Sequence, residues 1–135
     1  MMGYMLDTNT CIHLMKHRPQ ALRRRLSALP LEDVAISSVV VAELWYGVAL
    51  SRKKKENEVA LREFLDYVEV MDWPSQAGPL CGRIRSDLKR RDTPIGAMDL
   101  LIAAHTLFLD AVLVTDNTKE FERVPGLNLE NWLES

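Results

Sequence analysis

The chain has 135 residues, a net charge of −2 and 47% hydrophobic residues. That length fits one compact domain, and that composition excludes a disordered chain. The charge excludes a uniformly basic nucleic-acid binder. Cys11 and Cys81 belong to no C-x-x-C pattern and read as reduced, buried thiols of a cytosolic protein. No apolar run approaches the roughly 18 residues a spanning helix needs. Asp7 arrives before any signal-peptide core could form, so the expectation is a soluble cytoplasmic protein without a membrane partner.

Tyr4-Met5-Leu6 reads as a buried strand meeting a turn at Asp7-Thr8-Asn9. Ile12, Leu14 and Met15 suit a short helix from Thr10 to His17. A second is predicted over Gln20 to Leu29, with Pro19 in its first turn. Val34-Ala35-Ile36 is a second strand, followed by Ser37 and Ser38 as candidate caps of a helix carrying Glu43. Helical spacing returns from Glu58 to Tyr67, and Val68 to Met71 alternates like a strand. A helix is predicted from Gln76 to Arg90 and another from Met98 to Phe108, with Asp99 in its first turn. Ala111 to Thr115 is the clearest buried strand, and Leu127 to Trp132 adds a last short one. Alternating helices and short apolar strands imply an α/β fold with a mostly parallel sheet covered on both faces.

Ligands in such sheets bind beyond the carboxyl ends of the strands, where strand order reverses. Asp7 and Asp116 follow two of the most apolar strands, and Glu43 and Asp99 lie near the starts of helices at the same edge. Asp7 could equally cap the next helix, and Asp99 suits the positive end of a helix dipole. Glu43 interrupts an apolar run and must face a packed interior or a site. Read together, these acids suggest carboxylates converging on one cleft, where they repel unless a cation joins them. Hard oxygen donors without a His or Cys cluster favour Mg²⁺, with Mn²⁺ as a substitute, and such an ion suits phosphodiester chemistry. His13, His17 and His105 form no metal spacing or triad, and His105 reads as a packing or surface residue. Three short cationic clusters, Arg23 to Arg25, Arg52 to Lys55 and Lys89 to Arg91, read either as solvated faces or as phosphate contacts around the acidic centre.

Four segments in order resemble the motifs of PIN-domain ribonucleases of the VapC toxin type. They are Met5-Leu6-Asp7-Thr8-Asn9; Ile36-Ser37-Ser38 through Ala42-Glu43-Leu44 and Tyr46-Gly47; Pro94-Ile95-Gly96 with Asp99 to His105; and Thr115 to Phe121 with Val124 to Leu127. The resemblance implies a single PIN domain over residues 1–135, a three-layer sandwich with a short, mostly parallel twisted sheet. It further implies a metal-dependent endoribonuclease toxin that cuts structured RNA such as tRNA. The implied partners are a VapB-type antitoxin and a second copy in a homodimer. Asp7, Glu43 and Asp99 match the metal-holding acids, with Thr8, Asn9, Thr115, Asp116, Asn117 and Glu120 as candidates to support them.

One position departs from the pattern. Many PIN domains carry a fourth acid two residues beyond the threonine of the last motif, and Asn117 stands there. Strand alternation predicts Thr115 and Asn117 facing the cleft and Asp116 turned aside, with Glu120 reaching the site through water. The alternative function is an inactive RNA- or protein-binding module on the same fold. A phosphohydrolase of the haloacid-dehalogenase kind is disfavoured, because Asn9 stands where its second aspartate belongs.

Overall fold

A computed structural model describes residues 3–133, so Met1 and Met2, on which the reading of the chain start partly rests, lie outside the described residues. Five three- or four-residue strands, β1 (Tyr4–Leu6), β2 (Val34–Ser37), β3 (Glu69–Met71), β4 (Val112–Val114) and β5 (Asn128–Glu130), form one sheet of order β3-β2-β1-β4-β5. Every neighbouring pair is parallel, which bears out the sheet expected from the sequence. Order reverses between β1 and β4, and their ends meet there through the Asp7 N–H donating to the Val114 carbonyl at 3.1 Å.

Parallel strands need long crossovers. Helices α1 (Thr8–Lys16) and α2 (Gln20–Ser27) connect β1 to β2; α3 (Ser38–Leu50) and α4 (Lys54–Tyr67) connect β2 to β3. Helices α5 (Gly78–Arg90) and α6 (Ala97–Phe108) return to β4, and the short α7 (Thr118–Phe121) leads to β5. The right-handed crossover rule sends the first two connections and the last two to opposite faces. Accordingly α1 packs on α3 and α4, and α5 packs on α6. Met5, Leu6, Ile36, Val40, Ile102, Leu113 and Phe121 form one buried core from both sides of the sheet. Among the described residues no helix is long and apolar enough to cross a membrane.

Several boundaries differ from the sequence reading. Pro19 is the residue before α2 rather than part of its first turn. Of the two candidate serines, Ser37 caps α3 by accepting from the Val39 amide at 3.2 Å, whereas Ser38 Oγ accepts from the Trp73 amide at 2.9 Å. The last sheet residue before the site is Val114, not Thr115, because the Thr115 hydroxyl accepts from the Asn117 amide and turns the chain. Cys11 is buried, but Cys81 on α5 is only partly covered, which corrects the expectation of two buried thiols. His105 is fully buried with Nδ1 2.8 Å from Ser37 Oγ, a packing position as expected.

Candidate active site

Asp7 leaves β1 in extended conformation and caps α1, its Oδ1 accepting from the Thr10 amide at 2.9 Å. The side chain is 5% exposed. Burial pushes its carboxyl above the usual range, against hydrogen bonds from Thr115 and Thr10, and the nearby Asp116 charge adds to the rise. Both readings of Asp7 therefore hold at once: it is a helix cap and an acid at the switch point. Asn9, the second residue of α1, is exposed.

Glu43 sits midway along α3, half-buried, and accepts from the Thr8 hydroxyl at 2.5 Å. The sequence singles out Glu43 because it breaks an apolar run. What the run does not reveal is that the hydroxyl beside Asp7 orients it.

Asp99 lies in the first turn of α6, whose start at Gly96 has no side-chain cap. Glu120 on α7 reaches the same place. Its Oε1 accepts from the Gly96 amide at 2.9 Å and its Oε2 from the Asn117 side-chain amide at 2.6 Å. A Cβ built on Gly96 would stand 3.7 Å from Asp99 Oδ2 and 3.8 Å from Glu120 Oε1, so both carboxylates close on one point of backbone. Glu120 is thus in direct contact rather than reaching the site through water, which corrects the sequence expectation. The signal for it was weak: the apolar periodicity of a four-residue helix is too short to read.

Charge repulsion is visible in this group. Asp99 is pushed up to about 7, by burial first and then by the charges of Glu120, Glu43 and Asp7. For Glu120, burial pushes upward but is outweighed by the Gly96 amide, the Asp99 carboxyl, the Asn117 amide and Arg123, leaving it below the usual range. Of the two, Asp99 is the acid that takes up a proton more readily and Glu120 the one that keeps its charge. Asp116 stands 3.8 Å from His13 Nε2, a histidine the sequence reading set aside, and its charge also reaches Asp7.

Four carboxylates and no thiolate or imidazole among them make an all-oxygen donor set, which fits a hard divalent cation. Among the described residues no three His, Cys, Asp or Glu side chains already stand in a metal-holding arrangement. Two of the four acids are instead engaged with each other and one with Thr8, so a cation would replace the shared proton as the neutralising charge.

A wholly parallel sheet with acids gathered at its switch point defines an α/β protein of the acid-centred kind, and the comparisons give its family. The PIN domain model matches residues 4–127, and the chain belongs to the PIN domain family. It is 43% identical to Ribonuclease VapC2 of Rickettsia felis, covering 97% of this chain and 98% of that protein. It is 40% identical to the tRNA(fMet)-specific endonuclease VapC of Salmonella typhimurium, covering 98% and 99%. Among solved structures, VapBC2 from Rickettsia felis bound to a promoter DNA fragment matches with a TM-score of 0.91 at 42% identity, over 97% of this chain and 99% of that one. The resemblance read from the four motifs is borne out at the level of family, and PIN-domain nucleases as a class use divalent metal.

Proposed function

We infer that this single domain is a metal-dependent endoribonuclease, the toxin of a VapBC-type pair, acting on structured RNA. The observation that carries the reading is the meeting of Asp7, Glu43, Asp99 and Glu120 from four chain segments, with Asp99 pushed up to about 7 by burial and then by the charges of the other three. Full-length similarity to proteins named ribonuclease and tRNA(fMet)-specific endonuclease supports RNA, and tRNA in particular, as substrate. Similarity to VapBC structures supports a VapB-type antitoxin as partner. The proposed assembly is a homodimer in the cytoplasm.

Asp7, Glu43 and Asp99 would hold Mg²⁺ or Mn²⁺, with Glu120 beside them as the fourth acid in place of Asn117. When bound, the ion supplies positive charge to a phosphodiester and makes water more acidic. The chain's own residues do the remaining work. Thr8 fixes the Glu43 carboxylate, and Thr10 and Thr115 hold Asp7 in one orientation. Gly96 and Asn117 fix both oxygens of Glu120. Rigid placement of this kind is what converts a charged cluster into a site of defined geometry.

The test is sequencing of RNA 5′ ends after inducing the wild-type chain and an Asp7→Ala control. New ends at defined positions in structured RNA, absent from the control, are expected. Identical end profiles from the two chains would overturn the reading.

A further inference from the structure

The loop 93–96 has two sides. One side is latched to the acids: the Gly96 amide donates to Glu120, and Arg123 Nη1 donates to the Pro94 carbonyl at 2.8 Å. The other side walls a groove of about 390 Å³ between α5 and the start of α6. Leu88, Pro94, Ile95 and Leu100 line it, and Arg85 and Lys89 stand at its rim.

The rim is unusual for a surface helix. Residues 85 and 89 are four apart, so their side chains share one face of α5, where like charges repel. Helix and cap together carry Arg83, Arg85, Lys89, Arg90 and Arg91 against Asp87 alone, and Arg91 takes that carboxylate at 2.7 Å. Among the described residues neither Arg85 nor Lys89 forms an ion pair with an acid. An apolar floor under two free cations matches the chemistry of a nucleotide, with an apolar base face and an anionic phosphate. The guanidinium of Arg85 can also stack on a base, which aliphatic floor residues complement. Charge complementarity favours a polyanion over any apolar partner.

We propose that the groove between α5 and the loop 93–96 is an RNA subsite. It seats an unpaired nucleotide adjoining the one cut at the acids, with Arg85 and Lys89 on its phosphates. The proposal rests on the ribonuclease reading of the neighbouring acids. It assigns the loop a second task, because a strand crossing Gly96 passes from the groove to the carboxylates.

The experiment measures binding of a fluorescein-labelled single-stranded RNA dodecamer to the full chain in EDTA, where cleavage is blocked. An Arg85→Gln/Lys89→Gln double variant should bind about tenfold more weakly, with its salt slope flattened by about 1.4, some 0.7 per lost phosphate contact. Ile95→Ala should weaken binding without altering that slope. A control removing the same two charges elsewhere, Arg18→Gln/Arg62→Gln, should bind like the wild type. On tRNA with Mg²⁺, the groove variant should show a raised KM with kcat kept. Unchanged affinity in the groove variant, equal loss in the control, or no binding by the wild type would each overturn the proposal. Loss of affinity for a polyglutamate peptide with unchanged affinity for RNA would overturn it in favour of an acidic protein partner. If the dodecamer binds through the groove but the wild type cleaves no RNA with Mg²⁺, the nuclease reading falls, and with it the placing of the groove beside a cut, while RNA binding by the groove is kept.

Discussion

Thr8 donates its hydroxyl hydrogen to Glu43 Oε1 at 2.5 Å, across 35 positions of sequence. The bond ties the first turn of α1 to the middle of α3 and sets one acid's direction from the residue next to another acid. A hydrogen bond to a charged group contributes about 1.5–3 kcal/mol, equivalent to about 10- to 150-fold in rate if its full value acts in the transition state. Thr8→Val should therefore lower the rate of RNA cleavage by about that factor with a small change in melting temperature, and Thr8→Ser should restore most of it. Equal rates for Thr8→Val and the wild type would remove Thr8 from the machinery.

The core acids separate into charge and structure. Asp7→Ala loses a helix cap as well as a charge, at about 1 kcal/mol of stability. Asp7→Asn keeps an acceptor for the Thr10 amide and loses only the charge. Cleavage should be abolished in Asp7→Asn, Glu43→Ala and Asp99→Asn, while circular dichroism reports a folded chain. Cleavage near the wild-type rate by Asp7→Asn, with Mg²⁺ present, contradicts the proposed site.

Stability should depend on pH through Asp99. Its folded-state carboxyl lies at about 7, above the usual 3.8, so the folded state binds its proton more tightly than the unfolded state does. The resulting stabilisation is complete below about pH 3.8 and is lost as pH rises through about 7. His105, pushed down by burial, works in the opposite direction near neutral pH, so comparison with Asp99→Asn isolates the Asp99 contribution. Without metal, the melting temperature of the wild type should fall relative to Asp99→Asn between pH 5 and 8. Mg²⁺ added at pH 8 should recover the difference. Parallel curves for the two proteins would mean that Asp99 is not protonated in the fold.

Asp116 should matter less than Asp99. It is exposed and its partner is His13, at 3.8 Å, rather than the other acids. Asp116→Ala should keep cleavage and Mg²⁺ binding within several-fold of the wild type, as read by metal titration. Loss of metal binding as complete as in Asp99→Ala would place Asp116 among the ligands.

Arg52 to Lys55 cross from the connection into the first turn of α4, all exposed. Cations there oppose the helix dipole. Their neutralisation should not lower the melting temperature, and each residue that contacts phosphate should flatten the salt slope of RNA binding by about 0.7–0.9. An unchanged slope would return the cluster to a solvated turn.

Much of the site was legible in the sequence because its acids interrupt strong patterns. Asp7 ends an apolar strand, Glu43 breaks an apolar helix face, and Asp99 opens a helix whose burial is plain from Leu100 to Ala104. Polar starts were less legible. Lys54 to Asn57 lie in α4 but show no apolar period, so that helix reads four residues too short. Glu120 was placed at a distance because its position depends on Asn117 and Gly96 gripping its two oxygens, a tertiary arrangement with no local periodicity. The expected facing of Asn117 and Asp116 rested on an extended strand. The turn made by Thr115 sets it instead.

The acids at positions 7, 43, 99 and 120 arrive on four segments, and the last two are carried by the connections on either side of β4, the strand that pairs with β1. A chain emerging from the ribosome carries Asp7 and Glu43 long before the sheet can close, and the group stays incomplete until Glu120 follows. Reactivity in this molecule is therefore a property of completed synthesis: proteolytic fragments and half-made chains should be inert toward RNA.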